Sequence, residues 1–181
     1  GLSVSRAKEK NLVNKAPYLI ECNFNSDIPN QKYSSDVSYI KCKDGILYLS
    51  AIKDYFNTEI VSFSTSNSND VYLIKDSYKN LRPNKNAIVN TDQGAVYFAY
   101  EYVDLAATIG FTRSMSHRGH CWENCPIENW FMQLKHEWLC QFDKLTRKQA
   151  AKEIKKYVHW YNNKRIQKKL GYLSPVQYRL K

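Results

Sequence analysis

Apolar and polar residues alternate along residues 36–42, Asp36-Val37-Ser38-Tyr39-Ile40-Lys41-Cys42, with β-branched and aromatic side chains prominent, so a strand is predicted there. Lys43-Asp44-Gly45 follows, and Asp-Gly between two apolar runs predicts a tight hairpin into a return strand at residues 46–52. A turn at 54–58 and a third strand at 59–64 complete an antiparallel meander. The period then becomes helical. Val71, Ile74, Tyr78 and Leu81 share a face behind a cap at Asn69 or Asp70, and Pro83 stops the helix. Residues 87–91 read as a short buried strand ending in Asp92-Gln93-Gly94. Tyr100, Val103 and Ala107 mark a helix ended by Gly110, and residues 111–115 a fifth strand. The loop 116–126 has no period of its own. Pro126 opens a helix through Glu128, Phe131, Lys135 and Trp138, and a last helix spans about 146–161. Residues 1–30 show no clean period and predict an irregular lead-in, with a short helix near 6–15.

This order, β-β-β-α-β-α-β-α-α, predicts an α/β domain with a mixed five-stranded sheet flanked by helices. The expected division is a lead-in (1–30), an α/β core (31–145) and a basic carboxyl-terminal helix and tail packed on that core (146–181). At 181 residues and 43% hydrophobic the chain can bury a real core. It holds no apolar run of membrane-spanning length and no apolar stretch like a signal peptide at its start. Five irregularly spaced cysteines read as reduced thiols, which leads to the expectation of a cytoplasmic protein.

Charge changes the picture. Residues 1–110 carry 12 Lys and Arg against 12 Asp and Glu, whereas residues 111–181 carry 15 against 5, the whole net charge of +10. A basic segment beside a neutral one suits a polyanion lying along the carboxyl-terminal part, although a solvated helical surface would look the same.

Three acids stand out against this background. Asp36 falls early in the first strand, Asp92 just past the fourth, and Glu128 in the first turn of a late helix. If the first and fourth strands are neighbours, the two aspartates meet and the helix can lay Glu128 across them. Clustered carboxylates repel one another, so such a site suits Mg²⁺ or Mn²⁺, and a pair of ions about 4 Å apart can stabilise both oxygens of a phosphoryl displacement. Taken singly, each acid could be a turn, cap or helix-start residue.

The motif blocks Ser35-Asp36-Val37-Ser38-Tyr39-Ile40, Asn90-Thr91-Asp92-Gln93-Gly94, Ser114-Met115-Ser116-His117-Arg118-Gly119 and Asn124-Cys125-Pro126-Ile127-Glu128-Asn129-Trp130-Phe131 resemble those of insertion-sequence transposases with a retroviral-integrase-like core. So do Trp160-Tyr161-Asn162, Arg165 and the tail from Leu170 to Tyr178, and 35 residues separate Asp92 from Glu128, the family's spacing. Tyr33, Ser35 and Cys125 depart from the family's usual Trp, Thr and Ala. The resemblance implies an RNase H-like fold, for which the element order also speaks. It implies that Asp36, Asp92 and Glu128 hold Mg²⁺ or Mn²⁺, two ions being expected, for nicking and joining DNA at element ends. It further implies a homodimer or larger assembly. A helix-turn-helix region for end recognition would come from outside this stretch or from a separate protein. The rival readings are an RNase H-like nuclease that cuts without joining and an inactive DNA-binding remnant.

Other residues carry weaker signals. Lys135 lies two helical turns after Glu128 and could grip a phosphate. Gln93 and Asn124 could position DNA or orient carboxylates, or merely shape turns. Arg118, Lys155, Lys156 and Arg165 are further candidate DNA contacts within the basic half, where the interleaved aromatics read as core. His117, His120, Cys121 and Cys125 form a cluster of zinc-ligand types whose spacing fits no common closed site, so no zinc is expected on that set.

Overall fold

A computed structural model describes residues 14–181. The meander comprises β1 (Lys32–Cys42), β2 (Gly45–Asp54) and β3 (Ile60–Ser66); then come helix α1 (Val71–Tyr78), β4 (Ile88–Thr91), α2 (Tyr100–Ile109) and β5 (Thr112–Met115). Helices α3 (Cys125–Gln133), α4 (Arg147–Asn163) and α5 (Pro175–Leu180) complete the chain. The strands form one sheet in the order β3-β2-β1-β4-β5. β1 runs antiparallel to β2 and parallel to β4, and β4 runs parallel to β5. The sheet is therefore mixed, with β1 at its centre.

Local chemistry explains the boundaries. The hairpin pairs Cys42 with Gly45, whose φ of 135° is open to glycine and strained for any other residue. Asp70 caps α1 by accepting the Leu73 N–H, and Gly110, left-handed at φ 96°, ends α2. Thr146 and Gln149 close a reciprocal cap on α4, as Ser174 and Gln177 do on α5. β1 starts four residues before its predicted position and α1 ends at Tyr78, ahead of Leu81. α5 and the 3₁₀ turn Ala95–Phe98 went unpredicted. The predicted helix near 6–15 lies almost wholly outside the described residues.

Alternation along the strands sends side chains to two cores. Tyr33, Val37 and Ile52 face α1 and α2, with Ile74, Tyr78, Tyr102 and Phe111. Ile40, Cys42, Leu47, Leu49 and Ala51 face α3 and α4, with Ile127, Trp130, Ile154, Tyr157 and Tyr161. The predicted apolar stripe of α4, namely Ala150, Ile154, Tyr157, Val158 and Tyr161, is its buried face. Its aromatics pack on one another and on Trp130, so they belong to the core and offer no stacking platform. Residues 14–19 run beside β5, where the Met115 N–H donates to the Pro17 carbonyl and the Leu19 N–H to Ser114 Oγ. Among the described residues no helix is long and apolar enough to cross a membrane.

Candidate active site

Period-2 alternation puts Asp36 on the same face of β1 as Ser34, Ile40 and Cys42, the face that α3 covers. The parallel pairing of Ser34 with Asn90 aligns β4 beside β1, so Asp92, just past the end of β4, emerges next to Asp36. The first turn of α3 then brings Glu128 within hydrogen-bonding reach of Asp36. The geometry thus brings the three acids together. The Asp36 carboxyl is pushed well above the usual carboxylate range, first by burial and then by the negative charges of Asp92 and Glu128. One Asp36 oxygen accepts the Val37 N–H at 2.8 Å, and one Asp92 oxygen accepts the Gly94 N–H at 2.7 Å. A Cβ on Gly94 would sit 2.9 Å from that Asp92 oxygen, so only glycine leaves the carboxylate its place.

None of the ion pairs among the described residues involves these three acids. A half-buried carboxylate set without a counter-cation is a donor set suited to a hard divalent ion, which takes oxygen ligands and offsets the mutual repulsion. The residues therefore fit Mg²⁺ or Mn²⁺. Asp92 and Glu128 open onto a cleft of about 350 Å³, lined also by Gln93, Arg118, His117 and His120.

A buried polar network holds α3 in position. Asn124 is almost wholly buried. Its Oδ1 accepts from Ser34 Oγ at 2.6 Å and Asn90 Nδ2 at 3.1 Å, while its Nδ2 donates to the Ser35 carbonyl at 3.0 Å. Asn90 in turn accepts from Ser114 Oγ and donates to Ser116 Oγ, tying β4 to β5 and to the following loop. The Ile127 N–H donates to Ser34 Oγ at 3.3 Å. Lys53 on β2 donates to the Pro126 carbonyl at 2.9 Å; burial, reinforced by Lys169, lowers its pKa to about 7.

The other predicted site residues fare differently. Of the candidate DNA contacts, Asn124 has both ends of its amide committed inside the protein, so it positions α3 and does not face a ligand. Arg165 is also spent internally: its Nε donates to Glu137 at 2.9 Å and its guanidinium lies over the Tyr161 ring. Gln93 lines the cleft and donates to the Ser116 carbonyl at 3.1 Å. Arg118 lines the cleft and is exposed, and Lys155 and Lys156 are exposed on α4, with Lys156 near Glu153 at 3.2 Å. Lys135 is exposed, 5.8 Å from the ring centroid of Tyr39, which lies three residues beyond Asp36 on β1. The uniform winding assumed in aligning it with Glu128 stops at Gln133, because Leu134–Trp138 forms a π-helical turn. Cys121 and Cys125 do not join the two histidines. Instead His117, His120 and Glu123 bring their ligand atoms within 4.8 Å of one another.

Comparison with known proteins bears on the fold and the family. The family model described as "Integrase core domain" matches residues 26–121, and a second model of the same description matches residues 128–181. An uncharacterized transposase-like protein of Haemophilus influenzae is 38% identical over 170 residues, covering 91% of this chain and 77% of that one. The putative transposase InsK for insertion sequence element IS150 of Escherichia coli is 31% identical, covering 91% of this chain and 59% of its own length. The simian T-cell lymphotropic virus intasome superposes with a TM-score of 0.74 at 15% identity, covering 87% of this chain and 56% of that one. The HTLV-2 integrase catalytic core domain in complex with magnesium gives 0.64 at 17%, covering 84% and 98%. The fold is thus RNase H-like, of the integrase catalytic-core type.

Proposed function

Because the chain belongs to the insertion-sequence transposases that carry an integrase core domain, we propose that its acidic cleft cleaves and joins DNA strands at the ends of a mobile element. The observation that carries this reading is the meeting of Asp36, Asp92 and Glu128 beside an open cleft, with no ion pair to them among the described residues. These carboxylates would hold Mg²⁺ or Mn²⁺, in one or two sites. When bound, the metal would stabilise charge on the attacking and leaving oxygens of a phosphodiester, with water or a DNA 3′-hydroxyl as nucleophile.

The chain's own residues supply placement. Asp36 is fixed by the strand and by its bond from the Val37 N–H, and Asp92 by the Gly94 N–H, so both carboxylates are aimed before any ligand arrives. Asn124, Ser34 and Asn90 fix the start of α3 and hence Glu128. Arg118 at the cleft would meet backbone phosphate, and Lys135 would reach phosphate further along β1. Gln93, with its amide nitrogen held by Ser116, keeps its carbonyl oxygen for a donor on the DNA. Lys155 and Lys156 would follow the duplex away from the cleft, giving affinity that falls with salt. Working on paired ends, the protein would act as a homodimer or larger assembly. A helix-turn-helix region or partner would recognise the end.

The test is a labelled duplex carrying an element end, incubated with the chain in Mg²⁺ or Mn²⁺. Nicked strands and strands joined through a 3′-hydroxyl are expected. Cut ends that never join would replace this reading with a nuclease. Binding that persists in chelator without cutting in metal would replace it with a remnant.

A further inference from the structure

Beyond the acid cluster, the loop between β5 and α3 holds a second convergence of metal-ligand types. It comprises His117, His120 and Glu123, whose donor atoms all lie within 4.8 Å of one another. Both Glu123 oxygens serve this cluster. Oε2 accepts the His117 backbone N–H at 2.7 Å and lies 3.1 Å from His117 Nδ1. Oε1 faces both imidazoles, 3.0 Å from Nδ1 of His117 and 3.2 Å from Nδ1 of His120. A carboxylate anchored by the backbone through one oxygen, with the other shared between two ring nitrogens, is an arrangement in which an outer hydrogen bond fixes a ligand for an ion.

The nitrogen–oxygen distances agree with that arrangement. Bonds of about 2.0–2.1 Å from zinc to imidazole nitrogen or carboxylate oxygen place tetrahedral ligand atoms roughly 3.3 Å apart. The two nitrogen–oxygen separations lie slightly inside that edge, so a small outward movement admits an ion. The rings are also held from outside. Tyr18 packs edge-on against His117 at 5.7 Å, and Trp122 stacks on His120 at 4.4 Å and 22°. Glu123 is almost buried while both imidazoles are partly exposed, which leaves access for an ion and a water.

We propose that His117, His120 and Glu123 form a binding site for a first-row transition ion of the zinc type, with a water or substrate atom as fourth ligand. Two imidazoles and one carboxylate favour such an ion over Mg²⁺, which prefers an all-oxygen octahedron. The site differs from the zinc set legible in the sequence, since it replaces both cysteines by Glu123. Its place suggests its consequence. His117 and His120 line the same cleft as Asp92 and Glu128, and Glu123 immediately precedes the Asn124 that positions α3. An ion there would pin the loop at the mouth of the cleft. The proposal stands whether or not the acid cluster is catalytic.

The test is calorimetric titration of the full chain with Zn²⁺ in millimolar Mg²⁺, which keeps the oxygen-rich cluster occupied. One Zn²⁺ is expected to bind, and to bind equally to Asp92→Asn and Cys121→Ser. His117→Ala and His120→Ala are each expected to weaken it beyond the roughly 10–100-fold that loss of a supporting hydrogen bond costs. Glu123→Gln keeps an acceptor for the His117 N–H, so it is expected to melt near wild type yet bind Zn²⁺ far more weakly. This variant separates ion binding from loop folding. Absence of Zn²⁺ binding, binding indifferent to both histidines, or binding lost in Asp92→Asn or Cys121→Ser would overturn the proposal.

Discussion

Two buried aspartates lie on neighbouring strands, Asp36 in β1 and Asp54 at the end of β2, and their surroundings are opposite. Asp54 is fully buried and satisfied: it accepts the Asn30 and Phe56 N–H groups and an Arg179 guanidinium nitrogen at 2.9 Å, and Glu59 shares that arginine. Among the described residues, Asp36 has one backbone bond, two carboxylate neighbours and no ion pair. Burial raises the pKa of both, but around Asp54 hydrogen bonds and Arg179 oppose it, whereas around Asp36 the neighbouring charges add to it. A buried charge with its counter-ion built in closes a fold. One whose neighbours repel it is kept for something that arrives from solution.

The largest expected effect separates the two regions by function. Asp92→Asn should lower metal-dependent strand cleavage by about 10³-fold or more while the chain stays folded, measured on a labelled duplex alongside circular dichroism. Arg179→Met should do the reverse. It strands Asp54 without its partner and should cost about 3–5 kcal/mol in urea unfolding, with cleavage by the surviving folded fraction unchanged. Equal loss of activity from both variants would erase the distinction.

Asn124→Ala removes one amide that serves three partners and should cost about 1–3 kcal/mol. Because it frees the start of α3, its cleavage rate per folded molecule should also fall, unlike that of Arg179→Met. A variant as active as wild type would sever the network from the site.

The smallest effect is on stability and has a definite sign. The Asp36 carboxyl ionises at higher pH in the folded chain than in the unfolded one. Its contribution is therefore complete below the unfolded carboxylate range and is lost as pH rises through the folded value. In chelator, melting temperature should fall across that rise more steeply for wild type than for Asp36→Asn. The variant should be the more stable at neutral pH, by roughly 2–4 °C per kcal/mol regained. Saturating Mn²⁺ should close or reverse the gap. A wild-type chain that melts above Asp36→Asn in chelator would contradict the electrostatic account.

How much of this was legible in the sequence depends on the range of the interaction. Alternation along 36–42, the Asp-Gly hairpin and the caps at Asp70 and Gly110 are local, and they predict the meander and the helices; the three acids stand out as a set only through the motif blocks that resemble the transposase family. The Ser34–Asn90–Asn124 network was not legible, because it requires the parallel register of β1 with β4, which no local pattern carries. Lys53 and Glu123 were missed for the same reason: only tertiary placement buries the one beneath Pro126 and turns the other toward two histidines. Arg165 and Glu137 are 28 residues apart, so their pairing was invisible and the arginine read as free for DNA. The final helix does carry a local signal, Ser174-Pro175 with Gln177 closing the cap.

The central claim, that Asp36, Asp92 and Glu128 form a cation site, is tested most directly by soaking a crystal in millimolar Mn²⁺ and locating the ion by anomalous scattering. The account predicts a peak about 2.0–2.3 Å from oxygens of Asp36 and Asp92, with Glu128 beside it. An ordered domain with no peak there, or with a peak only at His117, His120 and Glu123, would contradict it.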